Sequence, residues 1–243
     1  MITEDCIQFG STTINYDIVY SDKRKNATLA VYPMKEVEIR VPKHLEQEHI
    51  QRLVKKKADW VIKQLLWFDE ITRLDSSKEH VNGETYLYLG RQFRLQVKKA
   101  EGRAEAKIIG RNIGVNLPIN TPKKYEKKII KAAIWKFYRQ QTEEKVEELV
   151  KKYSKRLGIE PPKFMIKNQY KRWGSCTSKN LLIFNFRLSM APVSQVEHVV
   201  AHEICHIKVK DHSSEYWKQL KSILPEYEVR KDAIKKDGWQ YVL

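Results

Sequence analysis

The sequence predicts an α+β fold: an N-terminal β-rich domain over residues 1–120 containing one long helix, followed by a mainly helical domain over residues 121–243. Three observations predict it. Short apolar segments of period two crowd the first half, a long stripe of helical spacing opens the second, and a histidine-bearing helix stands near the end.

Between Ile7 and Val41 the segments INYDIVY, ATLAVYP and EVEIRVP are rich in β-branched and aromatic residues and are separated by polar turn residues. They predict a small antiparallel sheet. After Pro42, Ile50, Leu53, Val54, Trp60, Val61, Ile62, Leu65 and Leu66 recur at helical spacing and predict one long amphipathic helix. TYLYLG-RQFRLQV and AKIIG-RNIGVNLP then read as hairpins, with Gly90 and Gly110 where the turns fall.

A domain boundary is expected at Pro118 to Pro122, where Thr121 can cap and Pro122 can open a helix running to Gly158. The polar run Gln140 to Glu144 is a place where that helix would break. Beyond it are expected a strand at Lys163 to Lys167, a loop RWGSC, a strand LLIFNFRL at Leu181 to Leu188, and two last helices, after Pro192 and after His212. No internal repeat and no low-complexity tract is legible.

Lys and Arg number 46 against 30 Asp and Glu, a formal net charge of +16. That balance favours an acidic partner, with nucleic acid or a DNA-bound protein as the first candidate, although charges spread over several helices equally fit solvated helix faces. The three cysteines, Cys6, Cys176 and Cys205, are far apart and form no CxxC pair, which excludes a disulfide scaffold and points to a reducing compartment. The N-terminus lacks a basic and apolar leader, and no apolar stretch is long enough for a bilayer. A cytoplasmic protein without a membrane partner is expected.

The chemistry is concentrated in SQVEHVVAHEICHIKVKDHSSEYW. Ser194 and Glu197 match a capping box ahead of a stripe formed by Val196, Val199, Val200, Ile204 and Ile207. His202 and His206, four positions apart, stack on one helix face and can grip one ion. Glu203 projects beside that face, placed to take a proton from a metal-held water and not to ligate. Zn2+ makes the transfer feasible, since coordination lowers the pKa of its water to about 7. Catalytic zinc takes three protein ligands. His212 is the best third, provided the chain leaves the helix between Lys208 and Asp211; Glu215, Glu226 and Glu228 are the alternatives. The predicted activity is hydrolysis of a protein or peptide by a zincin-like HExxH domain. A basic DNA-associated module with a structural zinc and a non-peptidase amidohydrolase remain as rivals.

Other residues invite a role. His198, one turn before His202, reads as an exposed polar residue or a partner to the metal face. Cys205 points away from that face and reads as buried, and Cys176 as part of a tight turn. Arg172, Arg187 and Tyr216 are each able to stabilise an oxyanion. Trp173 and Trp217 read as core anchors. The LLIFNFRL strand is a candidate edge for an extended peptide.

RWGSC, FNFRLSMAP, VVAHEICHIKVKDHSSEYW and the closing LPEYEVRK together resemble the YgjP-like family of zinc metallopeptidases, and YLYLGRQFRLQV and the long helix extend the resemblance over nearly the whole chain. The family is of zincin type, with SprT-like and WLM-type proteases as relatives, and its members are often found with restriction-modification systems. The resemblance implies His202, His206 and His212 as ligands and Glu203 as base. It implies no particular substrate.

Overall fold

The computed structural model describes residues 2–22, 24–31, 37–169 and 172–241. The chain divides into two compact units, Met1–Ser77 and Lys78–Leu243.

In the first unit, β1 (Ile2–Phe9), β2 (Thr12–Ser21), β3 (Thr28–Val31) and β4 (Val37–Pro42) form one sheet in the order β1-β2-β4-β3. β2 and β4 run parallel and the other pairs antiparallel, so the sheet is mixed where an antiparallel one is expected. Strand β1 has no counterpart in the sequence reading, and it separates β2 from the edge that a simple meander would use. Ile14, Tyr16 and Ile18 of β2 alternate onto one face with Val37, Ile39 and Val41 of β4. Helices α1 (Gln47–Lys56) and α2 (Ala58–Ser77) cover that face with Ile50, Val54, Ala58, Val61 and Phe68. The expected single helix is therefore two: Lys57 leaves helical geometry at φ −108° and ψ 9° and its N–H returns to the Val54 carbonyl at 3.0 Å. Trp60 and Leu66, counted on the apolar stripe, are exposed.

The second unit opens with β5 (Thr85–Tyr88), β6 (Arg91–Ala100), β7 (Glu105–Ile109) and β8 (Asn112–Pro118), in the order β5-β6-β8-β7. Both expected hairpins are present. The order and the senses of pairing repeat those of the first sheet: antiparallel, parallel, antiparallel. The matching strands end alike, with Ser21 opposite Pro42 in one sheet and Ala100 opposite Pro118 in the other. Each sheet is followed by helix. A structural repeat is thus present where the sequence shows none, because a strand pair constrains apolar alternation and not residue identity.

Helix α3 (Lys123–Leu157) runs unbroken for 35 residues from Pro122 as its cap to Gly158, which takes the left-handed conformation at φ +66°. The polar run does not break it. Thr142 turns inward, donating to the Phe186 carbonyl and accepting from the Ser189 N–H, while Gln140 and Gln141 bond outward to Glu144. Leu95, Ile113, Val115 and Leu117 of the second sheet share one core with Ile130, Ile134 and Leu149 of α3. The turn at Pro118 to Pro122 lies inside the second compact unit, Lys78–Leu243.

A third sheet follows α3: β9 (Phe164–Lys167), β10 (Gly174–Cys176) and β11 (Leu182–Asn185), in the order β10-β11-β9. Part of RWGSC is thus a strand, and LLIFNFRL supplies the central strand before tightening into a 3-10 turn at Phe186–Met190. Three helices close the chain, α4 (Val193–Lys208), α5 (Ser214–Ile223) and α6 (Tyr227–Asp237), one more than expected. The tip of the β5–β6 hairpin fixes the entry to α4: the N–H groups of Leu89 and Gly90 donate to the carbonyls of Ser189 and Met190 at 2.7 and 3.0 Å. Among the described residues no helix is long and apolar enough to cross a membrane.

Candidate metal centre

Helix α4 buries Val196, Val199, Val200, Ile204 and Cys205 in the core, and each such aliphatic residue contributes about 1.5–3 kcal/mol when fully buried. That anchoring fixes the rotation of the helix about its axis. His202 and His206 consequently emerge on one face, with ring centroids 5.0 Å apart. The expected capping box is not formed. Pro192 caps the helix, and Glu197 instead binds Lys152 at 2.5 Å and Arg230 at 2.5 Å.

The helix ends at Val209, in the stretch where the third histidine requires it to end. The chain then turns back and sets His212 just before Ser213, the cap of α5. His212 Nε2 comes within 3.2 Å of His202 Nε2, and the rings of His206 and His212 lie 4.7 Å apart. One ring nitrogen from each of His202, His206 and His212 lies within 4.8 Å of the others. Two ligands on tetrahedral zinc, at bonds of about 2.0–2.1 Å, stand roughly 3.3 Å apart, so this donor set fits that ion. Two of the three alternative carboxylates are engaged elsewhere: Glu226 pairs with Arg230 and Glu228 accepts from the Tyr227 hydroxyl.

Neighbouring groups hold the imidazoles in place. A carbonyl can only accept, so His206 Nδ1, 3.0 Å from the Val209 carbonyl, carries the proton and leaves Nε2 with its lone pair. Tyr216 stacks on His206 at 4.6 Å and donates to the His202 carbonyl at 3.0 Å. Trp217 stacks on His212 at 5.5 Å and donates from Nε1 to the His212 carbonyl at 3.0 Å. These two consecutive residues of α5 were legible as an oxyanion donor and a core anchor; the structure makes both of them supports of the histidines. Burial and then the neighbouring His206 lower His202 to about 3, and burial lowers His206, which favours the neutral form of both rings.

Glu203 is 7% exposed. Burial raises its pKa to about 7, opposed by Arg172 and by a hydrogen bond from the Cys176 N–H. Strand β10 passes so near that a Cβ on Gly174 would lie 2.7 Å from Glu203 Cγ. Of the other residues singled out in the sequence, His198 is buried rather than exposed, with burial lowering its pKa to about 4. Cys205 is buried, as expected. Cys176 is half-buried beside Lys210 Nζ at 3.7 Å. Arg187 is buried against the Phe186 ring and Tyr216 is wholly buried with its hydroxyl engaged, which leaves exposed Arg172 as the oxyanion candidate.

Residues 25–237 match the YgjP-like metallopeptidase domain. The chain belongs to the YgjP-like metallopeptidase family. Among solved structures, the metallopeptidase zymogen of Pyrococcus abyssi abylysin is similar at 21% identity and a TM-score of 0.36, over 37% of this chain and 92% of that one. The metallopeptidase zymogen of Methanocaldococcus jannaschii jannalysin is similar at 19% identity and a TM-score of 0.34, over 37% of this chain and 94% of that one. No curated protein matches the sequence. The YgjP-like match spans parts of both compact units, so the family's domain is larger than the helical segment that carries the histidines.

Proposed function

We propose that the chain is a zinc peptidase of HExxH type, in which His202, His206 and His212 hold the ion and Glu203 is the general base. The observation that carries this reading is the convergence of three imidazole nitrogens within 4.8 Å beside one buried carboxylate. When bound, zinc lowers the pKa of a water from about 15.7 to about 7 and polarises the scissile carbonyl. Glu203 accepts the proton from the attacking water. It then passes that proton to the nitrogen of the departing amine, a double role suited to a carboxyl whose pKa is raised to about 7. Arg172, electrostatically coupled to Glu203, supplies positive charge where the carbonyl oxygen becomes negative.

The strand next to Glu203 is β10, an outer strand of its sheet. An extended peptide pairing along β10 is brought past the carboxylate with its backbone aligned. LLIFNFRL, offered by the sequence for this task, has both of its edges taken by β10 and β9. A closed structural zinc site uses four protein ligands; among the described residues this cluster holds three, which favours the catalytic reading over a structural zinc in a DNA-associated module.

The test is metal analysis of the pure chain beside His202→Ala, His212→Ala and Glu203→Gln, with hydrolysis of a casein substrate followed in parallel. About one zinc per chain is expected in the parent and in Glu203→Gln, and much less in the histidine variants. Hydrolysis is expected only in the parent. Full activity in Glu203→Gln would overturn its role, and full zinc in His212→Ala would remove that ligand.

A further inference from the structure

The β10-β11-β9 sheet has a second outer strand, and a groove of about 630 Å³ runs beside it. Trp135, Lys136 and Arg139 of α3 form one wall, Met165 and Lys167 of β9 the other, and Phe186 stacks on Trp135 at 4.8 Å beneath them. Met165 is 41% exposed, an apolar side chain left in solvent on a strand edge. Leu182 N–H donates to the Lys163 carbonyl at 3.0 Å on the inner side of β9. By the alternation of a ladder, the main-chain groups of Phe164 and Ile166 face outward, toward the groove. An open strand edge of this kind is a template for another strand.

The charge of the groove selects the occupant. Lys136, Arg139 and Lys167 are exposed, pair with no carboxylate among the described residues, and no acidic side chain lines the groove. We propose that this groove is an exosite that takes an acidic, extended segment of the protein substrate as an added strand on β9, away from the bond that is cut. The proposal rests on the peptidase reading of the His202 site for its purpose, though not for its binding. Strand edge, apolar floor and cationic rim match the backbone, alternate apolar side chains and intervening carboxylates of such a peptide. A nucleic acid would use the cations and the aromatic floor but would leave the main-chain donors and acceptors of β9 unmatched. The groove lies two strands from β10, roughly 10 Å across the sheet, so one substrate segment is held while another is cleaved.

Binding is measured by fluorescence anisotropy on the full chain carrying Glu203→Gln, so that the probe survives. The probes are a fluorescein-labelled twelve-residue peptide of alternating Glu and Val, the same peptide with Lys for Glu, and a twelve-nucleotide oligothymidylate. Saturable binding of the Glu-Val peptide is expected, with at least tenfold weaker binding of the Lys-Val peptide. Charge reversal by Lys136→Glu with Arg139→Glu is expected to weaken the Glu-Val peptide at least tenfold while leaving hydrolysis of a short uncharged peptide by the otherwise native chain unchanged. Less than twofold weakening in that variant, equal affinity for the two peptides, or oligothymidylate displacing the Glu-Val peptide with higher affinity would each overturn the proposal. Loss of hydrolysis in the native chain would instead remove the peptidase reading and leave the binding result standing.

Discussion

Gly174 lies against the Glu203 side chain so closely that a Cβ there would meet Cγ at 2.7 Å and Oε1 at 2.9 Å. Glycine is required at this point by a close approach and not by its backbone angles. Glu203 is thereby pressed between its own helix and the edge strand, with the Cys176 N–H two residues along as its hydrogen-bond donor.

Gly174→Ala must push Glu203 aside. Displacement of a reacting group by about 1 Å can cost on the order of 100-fold in rate, so kcat is expected to fall by that order while zinc content stays at the parental level. Steady-state kinetics with metal analysis of the same preparation checks both halves; a variant that keeps its rate would show that Glu203 has room to spare.

Tyr216 joins two histidines through different atoms, its ring on His206 and its hydroxyl on the His202 carbonyl. Tyr216→Phe removes only the second contact, a cost of about 0.5–1.5 kcal/mol. Tyr216→Ala opens a cavity under the site and is expected to cost about 3–5 kcal/mol, with weaker zinc retention in a chelator titration. Equal zinc affinity in all three proteins would deny Tyr216 a part in holding the ligands.

Glu197 sets an acid limit to stability. Burial by itself would raise its pKa, but hydrogen bonds from Lys152 and Arg230 outweigh that and hold it below the usual value. Because the folded-state pKa is depressed, the stabilisation is fully present above the unfolded-state pKa and is lost as pH falls through the folded one. Glu197→Gln is expected to lower stability near neutrality by about 1–3 kcal/mol and to flatten its acid dependence, read from urea unfolding at a series of pH values. A parallel shift of the parental curve, with its slope retained, would assign the acid dependence to other carboxylates.

Gly90 has φ +75°, and a Cβ on it would stand 2.7 Å from Pro192 Cγ. Gly90→Ala therefore meets both backbone strain and a clash, and a loss of about 1–3 kcal/mol is expected. Thermal melting would reveal it, and an unchanged Tm would mean that the hairpin tip does not brace the start of α4.

The grouping of the three histidines was legible because helical spacing and a short polar turn act over eleven consecutive positions. What escaped depends on distant partners. Strand β1 was hidden because Asp5 interrupts its apolar alternation, a polar residue whose carboxylate is matched by the Tyr16 hydroxyl at 2.8 Å across the sheet. The short strand at Gly174–Cys176 gives no period, having only three residues. His198 and Tyr216 carry no local sign of the burial that decides their roles. The mixed pairing of both sheets is a choice of neighbours, and alternation alone is silent about which strand lies beside which.

The paired sheets set one turn in two circumstances. Leu89 and Gly90 close the β5–β6 hairpin against Pro192 and the carbonyls before α4, while Gly10 closes the equivalent β1–β2 hairpin with nothing within 4 Å of where its Cβ would stand. Mutational tolerance should differ accordingly. At Gly10 an asparagine, which accepts positive φ, is admissible; at Gly90 any side chain collides with the proline, so the hairpin that braces the start of α4 has lost a freedom that the β1–β2 hairpin retains.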